Sequence, residues 1–261
     1  MRDPLPFART VLHRPVVDST NWLARSLVLQ GVDELPLLVW ADRQTLGRGQ
    51  RDRSWFSDDG SLTFTVAIDP AAHGLRVDQE PRLSLAAALA VIHAIGSLGW
   101  VVPGLGIRWP NDVEACGRKL CGILPERIER DGLEGPSGHL LVIGIGLNVL
   151  TRFDEAPDEV SRMATSLAAM GAGPLDASSI PRALAAILTH LDLELRRLRD
   201  DSPEQAREWD HLNLLRGKPV RIDLGPRILA GRATDIDPRG ALCVDDGSEV
   251  HHLSGGRVLR D

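Results

Sequence analysis

The spacing of hydrophobic positions predicts a mixture of helices and strands over most of the chain. Residues 61–68 (SLTFTVAI) alternate apolar with small polar side chains, and this period of two predicts a strand with one face in the core. Residues 84–98 are alanine-rich and apolar nearly all round, which predicts a buried helix. Residues 181–199 repeat leucine and isoleucine at helical spacing, so we expect an amphipathic helix there.

Turn and capping signals place the remaining elements. Ser19 and Thr20 precede an apolar run that ends before Gly31, which predicts a helix. Short apolar runs at 37–41 and 139–149 predict buried strands, and two strand-like runs meet at a turn over residues 116–118. A short helix is expected after Pro203.

The pattern changes near Gly217, where short β runs are cut by glycine, proline and aspartate. Such spacing predicts a small all-β barrel of about 45 residues. We therefore expect an α+β fold, with a mixed sheet and flanking helices over residues 1–214 and a β-barrel over residues 215–261.

Composition and charge narrow the class of protein. The formal net charge of -6 argues against a dedicated nucleic-acid binder, which normally has a basic excess. No apolar run approaches the roughly 20 residues that cross a bilayer, and the N-terminus lacks the apolar region of a signal peptide, so we expect a cytoplasmic protein. Cys116 and Cys121 are candidates to face each other across a hairpin, but reduced thiols are expected. No CxxC or HExxH motif indicates zinc.

Several nucleotide-binding and hydrolase motifs are excluded. The stretches GRG at 47–49 and GIG at 144–146 lack the third glycine of a dinucleotide fingerprint. Leu212 stands where a P-loop ending at Gly217-Lys218 would need glycine, and no GxSxG elbow occurs.

Residues 47–55 (GRGQRDRSW), 108–112 (RWPND) and Lys119 together indicate an anion site. Glycines let backbone N–H groups approach a ligand closely, and guanidinium groups bind carboxylate or phosphate in bidentate fashion. Asp112 could hold Mg²⁺ through water, and Lys119 supplies a point charge for a transition state at phosphorus. Taken singly, the loop and Lys119 would be solvated surface features; together they predict a site for a carboxylate and a nucleoside triphosphate.

Five motifs in this order resemble those of the biotin–protein ligases: DSTN at 18–21, QTLGRG at 44–49, RWPND at 108–112, RKLCGIL at 118–124 and GIGLNV at 144–149. The resemblance covers residues 16 to 260. It implies a catalytic domain with the biotin/lipoate ligase fold, similar to class II aminoacyl-tRNA synthetases, and a C-terminal SH3-like barrel.

The resemblance also implies a two-step reaction. Biotin and the ATP–Mg²⁺ complex are substrates, and no tightly bound prosthetic group is expected. Biotin's carboxylate attacks the α-phosphate to give biotinyl-5′-AMP and pyrophosphate. A lysine of a biotin carboxyl carrier domain, such as that of acetyl-CoA carboxylase, then takes the biotinyl group.

Carried over by position, the family's site residues fall into three groups. The implied catalytic residues are Lys119 and Arg48. Those implied to bind biotin are Ser19, Thr20, Asn21, Gln44, Arg48, Gly49, Gln50 and Lys119. Those implied to bind ATP or the adenylate are Arg51, Arg53, Trp55, Arg108, Asn111, Asp112 and Asn148, with Asp112 as the Mg²⁺ ligand.

The sequence departs from the family pattern at three positions. Gln50 and Asp52 replace an arginine and a glycine of the usual GRGRxGRxW loop, and Arg108 replaces the lysine of KWPND. Two alternatives therefore stay open: a lipoate or octanoyl ligase, and a degenerate homologue that binds biotin without transferring it.

Two expectations concern partners. Only 17 residues precede Asp18, too few for a three-helix DNA-binding domain, so we expect the short catalytic type and no specific DNA binding. The oligomeric state is left open, because some family members form a homodimer through a sheet edge and others are monomers.

Overall fold

The computed structural model describes residues 5–50, 53–129 and 138–260, and its larger sheet has seven strands. In chain order these are β1 (Thr10–Val17), β2 (Leu37–Gln44), β3 (Ser61–Ile68), β4 (Leu105–Arg108), β5 (Asp112–Ala115), β6 (Arg118–Glu129) and β7 (His139–Asn148). They lie side by side in the order β1-β2-β3-β7-β6-β5-β4. Strands β1 and β2 are parallel and every other neighbouring pair is antiparallel, so the predicted mixed sheet is present.

Helices cover both faces of this sheet. They are α1 (Thr20–Leu29), α2 (Leu83–Ser97), α3 (Asp158–Met163), α4 (Ser179–Arg199) and α5 (Pro203–His211), with a 3-10 helix at Val77–Arg82. Helix α2 lies in the main core with α4, because its small alanines allow close approach. Helix α1 packs Ala24 and Val28 on the opposite face against Val39, Ala67 and Val142.

Strand β3 differs from its sequence-based prediction. All eight of its residues are buried, whereas the alternating pattern predicted a single buried face. Helix α1 covers the second face, and the hydroxyl groups there have protein partners: Thr63 donates to the carbonyl of Ala41 at 3.0 Å, and Thr65 donates to Asn21 Oδ1 at 2.6 Å. The hydroxyl residues that alternate with apolar ones in β3 thus form hydrogen bonds inside the protein and do not face water.

The positions of the cysteines differ from the sequence expectation that Cys116 and Cys121 face each other across a hairpin. Cys116 lies exposed in the β5–β6 turn, while the buried Cys121 lies opposite Val113, so the two do not face each other across the hairpin. All three cysteines are free.

Among the described residues, no helix combines the length and apolar character needed to traverse a lipid bilayer.

The C-terminal part forms a second sheet, as its short β runs predict. Its strands are β8 (Pro219–Asp223), β9 (Ile228–Ile236), β10 (Leu242–Asp245), β11 (Val250–Leu253) and β12 (Arg257–Val258). They are antiparallel and lie in the order β11-β10-β9-β8-β12. One continuous cluster of buried apolar side chains includes Val220 and Ile222 of this sheet together with Ile107 of β4 and Trp109 of the turn after β4.

Polar contacts fix the second sheet against β4 and β5. Trp109 Nε1 donates to the carbonyl of Gly240 at 3.1 Å, and Arg82 donates to that of Pro238 at 3.3 Å. Arg260 donates to the buried carboxylate of Glu114. These contacts bring the last residues of the chain to the end of the larger sheet. The predicted boundary at residue 214 lies between α5 and β8 and stays a prediction.

Candidate active site

A cavity of about 440 Å³ lies where α1, the described arms of the 47–55 loop, β5–β7 and the C-terminal segment meet. All but one of the site residues predicted from the sequence line it: Ser19, Thr20, Asn21, Gln44, Arg48, Gly49, Gln50, Arg53, Trp55, Arg108, Asn111, Asp112, Lys119 and Asn148. Arg51, the remaining one, and its neighbour Asp52 lie outside the described residues.

The N-terminus of α1 forms one end of the cavity. Ser19 is the N-cap residue, yet its hydroxyl makes no capping hydrogen bond. The Thr20 backbone N–H donates to Gln44 Oε1 at 2.7 Å, which fixes the Gln44 amide beside the helix. A helix N-terminus with a hydroxyl and amide groups offers donors and acceptors to a compact polar ligand.

Asn21 is held in one orientation by partners on both sides. Its Nδ2 donates to Glu126 Oε2 at 2.7 Å and to the Leu124 carbonyl at 3.2 Å, while its Oδ1 accepts from Thr65 at 2.6 Å. Such a network fixes which atom of the amide faces which partner. The polar end of the cavity is therefore preorganised before any ligand binds.

Glu126 does not line the cavity but contacts two residues that do, and sequence reasoning missed it. Its two carboxylate oxygens reach different residues, because Oε2 accepts from Asn21 and Oε1 lies 3.4 Å from Arg48 Nη1. It follows the RKLCGIL motif by two residues on β6, and strand alternation puts it on the same face as Leu124 and Gly122. That alternation is the signal that could have found it.

We expect Glu126→Gln to weaken biotin binding by about tenfold, because the neutral amide loses the charge-assisted contacts to Asn21 and Arg48. Isothermal titration with biotin measures the change. Glu129→Gln is the control: Glu129 lies on the same strand and pairs with Arg127 at 3.1 Å. An unchanged dissociation constant in Glu126→Gln would show that Asn21 and Arg48 need no carboxylate to orient them.

Backbone hydrogen bonds join the two described arms of the 47–55 loop, residues 47–50 and 53–55. The Trp55 N–H donates to the Gly47 carbonyl at 2.8 Å, the Gly49 N–H donates to the Arg53 carbonyl at 2.6 Å, and Arg48 and Ser54 form an isolated β-bridge. The Arg48 guanidinium also lies 5.9 Å from the Trp22 ring centre. The described arms therefore contact each other and α1, and the role of the loop as a lid stays a prediction.

Glycines on β6 and β7 make room for the Trp55 side chain. A Cβ on Gly146 would lie 2.5 Å from the Trp55 ring, and one on Gly122 would lie 3.1 Å from both the ring and Lys119 Nζ. Trp55 Nε1 is buried and has no hydrogen-bond partner among the described residues. A buried donor without a partner is costly, so this group is available to a ligand acceptor.

The other end of the cavity carries its charges. Lys119 Nζ lies 2.6 Å from Asp112 Oδ1 and 5.6 Å from the centre of the Trp55 ring. Asn111 and Asn148 donate their amide N–H groups to the carbonyls of Ile123 and Thr165, so both fix neighbouring backbone.

The guanidinium of Arg108 is turned toward the C-terminal segment. Its Nε lies 3.7 Å from Glu114 Oε1, and one amino group donates to the Leu259 carbonyl at 3.5 Å. Burial lowers the pKa of Arg108 and raises the pKa of Glu114, while Arg260 beside Glu114 opposes that rise. The C-terminal residues Gly256, Arg257, Val258 and Arg260 complete this wall of the cavity. Sequence reasoning assigned them to the barrel alone and missed this role.

The donor set fits a magnesium ion that arrives with a triphosphate. Mg²⁺ in such sites is commonly held by one or two carboxylates plus phosphate oxygens and waters. Asp112 supplies one carboxylate in the cavity wall, and Lys119 pairs with it at 2.6 Å. Asp112 as a Mg²⁺ ligand stays a prediction.

A seven-stranded sheet and a smaller antiparallel sheet thus meet around one cavity, with hydrogen-bonding groups at one end and the Lys119 ammonium group at the other. The chain belongs to the biotin/lipoate A/B protein ligase family, whose model matches residues 14–148. The biotin protein ligase C-terminal domain model matches residues 216–260, which contain the second sheet. Both findings agree with the family suggested by the sequence motifs, and the predicted fold class is confirmed.

Three relatives illustrate the similarity. The biotin–[acetyl-CoA-carboxylase] ligase of Mycobacterium tuberculosis is 33% identical over 243 residues, which is 92% of this chain and 85% of that protein. The bifunctional ligase/repressor BirA of Escherichia coli is 29% identical, over 94% of this chain and 72% of that protein. A solved structure of the Aquifex aeolicus biotin protein ligase in complex with biotin and ATP superimposes with a TM-score of 0.77 at 24% identity, covering 96% of this chain and 98% of that one.

Proposed function

We propose that this chain is an ATP-dependent biotin–protein ligase that forms biotinyl-5′-AMP and transfers biotin to a lysine of a carrier protein. The observation that carries the proposal is the division of one cavity into a hydrogen-bonding end, at Thr20 and Asn21, and an end that carries the Lys119 ammonium group. Biotin has the matching arrangement, with a neutral ureido ring at one end and a carboxylate at the other. The 33% identical ligase supports the same activity.

In the first step, the hydrogen-bonding end at Thr20 and Asn21 binds the ureido ring, and Gln44 contacts the valeryl chain. This places biotin's carboxylate near Lys119, whose ammonium group stabilises the negative charge that develops as the carboxylate attacks the α-phosphate of ATP. The carboxylate oxygen–phosphorus bond forms as the bond to pyrophosphate breaks. Asp112 holds Lys119 in position, and its carboxylate would hold the magnesium ion that accompanies the triphosphate.

In the second step, the ε-amine of a carrier lysine attacks the biotinyl carbonyl and AMP leaves. The mixed anhydride is prone to hydrolysis, so water must be excluded between the steps. The 47–55 loop is placed to do this, because Arg48, Gly49 and Gln50 line the cavity. The partner is the biotin carboxyl carrier domain of a carboxylase, a class supported by the named activity of the Mycobacterium tuberculosis relative.

Biotin-dependent exchange of labelled pyrophosphate into ATP tests the first step, and transfer to a purified carrier domain tests the second. A ligase supports both reactions. Exchange without transfer would identify an adenylate-forming protein that lacks ligase activity, and neither reaction would identify a degenerate binder. Competition between biotin and lipoate in the exchange assay separates the proposal from a lipoate ligase, which would prefer lipoate.

We predict that the double variant Gln50→Arg, Asp52→Gly retains biotinyl-AMP longer than the natural chain. Gln50 lacks the guanidinium group that family members place beside the acyl phosphate, and Asp52 adds a negative charge where they have glycine. Each reversal should lower the free energy of the closed loop by about 1 kcal/mol. Hydrolysis of preformed adenylate without carrier measures retention. Equal or faster hydrolysis in the double variant would contradict this account of the loop.

A further inference from the structure

Three ligand-type side chains converge on the outer face of the C-terminal sheet, away from the biotin cavity. Cys243 on β10 lies directly opposite His252 on β11, and Asp237 follows β9. The distance from Cys243 Sγ to His252 Nδ1 is 3.4 Å, and that from His252 Nδ1 to Asp237 Oδ2 is 3.0 Å. All three ligand atoms lie within 4.8 Å of one another.

Two of the three side chains approach the same atom of the third. A single nitrogen, Nδ1 of His252, faces both a thiol and a carboxylate. If that nitrogen carries a proton for Asp237, it has no lone pair for the thiol of Cys243; if it accepts from the thiol, its lone pair faces the carboxylate oxygen. Nδ1 can therefore serve only one of the two as its main partner, while the thiol also lies 4.0 Å from the Ala241 carbonyl.

A cysteine–histidine–aspartate hydrolase triad is also excluded by this geometry. In such a triad the histidine uses one ring nitrogen toward the nucleophile and the other toward the carboxylate. Here both partners approach the same nitrogen, and Cys243 is 2% exposed, which leaves no room for a substrate at its sulfur.

We propose that Asp237, Cys243 and His252 form a binding site for a zinc-type divalent cation. Tetrahedral Zn²⁺ has Zn–S near 2.3 Å and Zn–N near 2.0–2.1 Å, which puts sulfur and nitrogen about 3.6 Å apart, and nitrogen and carboxylate oxygen about 3.3 Å apart. The observed separations of 3.4 and 3.0 Å are close to these values without rearrangement of the backbone.

The surroundings are those of a built site. The second oxygen of Asp237 accepts the backbone N–H groups of Arg239 and Ala241, both at 2.9 Å, which fixes the carboxylate. The side chain of His252 is 60% exposed, so solvent can supply the fourth ligand and the ion has a way in.

The bound ion would link three successive segments of the sheet. Strand β11 is a four-residue edge strand paired on one side only, to β10. A cation coordinated by His252 joins β11 to β10 and to the turn that follows β9. The sequence alone does not indicate this site, because its ligands are six and nine residues apart along the chain and follow no compact zinc motif.

Titration with Co²⁺ tests the proposal, because thiolate coordination gives a cobalt charge-transfer absorption in the near ultraviolet. The protein carries Cys116→Ser throughout, since Cys116 is an exposed thiol. We expect one Co²⁺ per chain with this absorption, displaced by Zn²⁺. Cys243→Ala should abolish the absorption, and His252→Ala should weaken binding at least about tenfold, as even changes behind metal ligands cost 10–100-fold.

His251→Ala is the matched control, because His251 is the neighbouring residue and pairs with Asp246 at 2.7 Å instead. It should keep the absorption. Zn²⁺ should also raise the melting temperature of the parent and of His251→Ala, but not of His252→Ala, whose exposed side chain can be removed without loss of packing. Absence of the absorption in the parent, or equal affinity in His252→Ala, would overturn the proposal. Neither readout depends on ligase activity.

Discussion

Lys119→Ala should lower the rate of biotinyl-AMP formation about 100-fold or more and leave the fold intact. Lys119 Nζ is in the wall of the cavity, 2.6 Å from Asp112 and 5.6 Å from the Trp55 ring centre. Its ammonium group is thus fixed where charge develops during attack on phosphorus. Removing one such preorganised donor costs on the order of 3 kcal/mol in a transition state.

The measurement is pyrophosphate exchange under saturating biotin and ATP. Lys218→Ala is the control, because Lys218 is the only other lysine of the chain and is exposed. Lys119→Arg keeps the charge but changes its shape, so it should retain part of the rate if charge is what matters. A Lys119→Ala rate close to that of the Lys218 control would remove Lys119 from the mechanism.

Gly144→Ala should weaken biotin binding at least about tenfold, because the added methyl group would displace the Asn21 side chain. A methyl group on Gly144 would overlap Asn21 Oδ1 and lie 2.8 Å from Asn21 Cγ. Asn21 cannot move aside cheaply, because Thr65 and Glu126 hold its two ends. Forcing an extra methyl into a packed region also costs about 1–3 kcal/mol of stability.

Biotin titration and urea unfolding, measured on the same preparation, separate the two effects. The control is Gly96→Ala on α2, where an added Cβ meets nothing within 4 Å. It should keep the wild-type affinity and, as a helix position, gain stability. If Gly144→Ala is stably folded and binds biotin as well as the parent, then Asn21 does not position the ligand.

Much of the site could be predicted because the family motifs name its residues one by one. The positions of Asn21, Arg48 and Lys119 on a helix start, a loop and a strand start follow from local sequence, and all three line the cavity. The role of Glu126 could not be predicted from those motifs. Its partners Asn21 and Arg48 are 105 and 78 residues away, and only the folded sheet brings them together.

The burial of β3 shows a limit of periodicity. An alternation of apolar and hydroxyl residues predicts a half-exposed strand, because hydroxyl groups are usually satisfied by water. Here Thr65 is satisfied by Asn21 of the helix that covers it. Only the packing of a helix on the second face distinguishes such a fully buried strand from a half-exposed one. The Cys243 cluster was missed for the same reason, since its members come from two strands and a turn.

The continuous core between the two sheets has a consequence for how the molecule unfolds. The family models end one match at residue 148 and begin the next at residue 216, and such borders suggest modules that could melt independently. Val220 and Ile222, however, share one apolar cluster with Ile107 and Trp109. Unfolding one sheet alone would expose apolar side chains of both sheets to water, so it would lower the stability of the sheet that remains folded. The chain should therefore lose its two sheets in one cooperative transition, with ligand-binding competence and C-terminal structure disappearing at the same denaturant concentration.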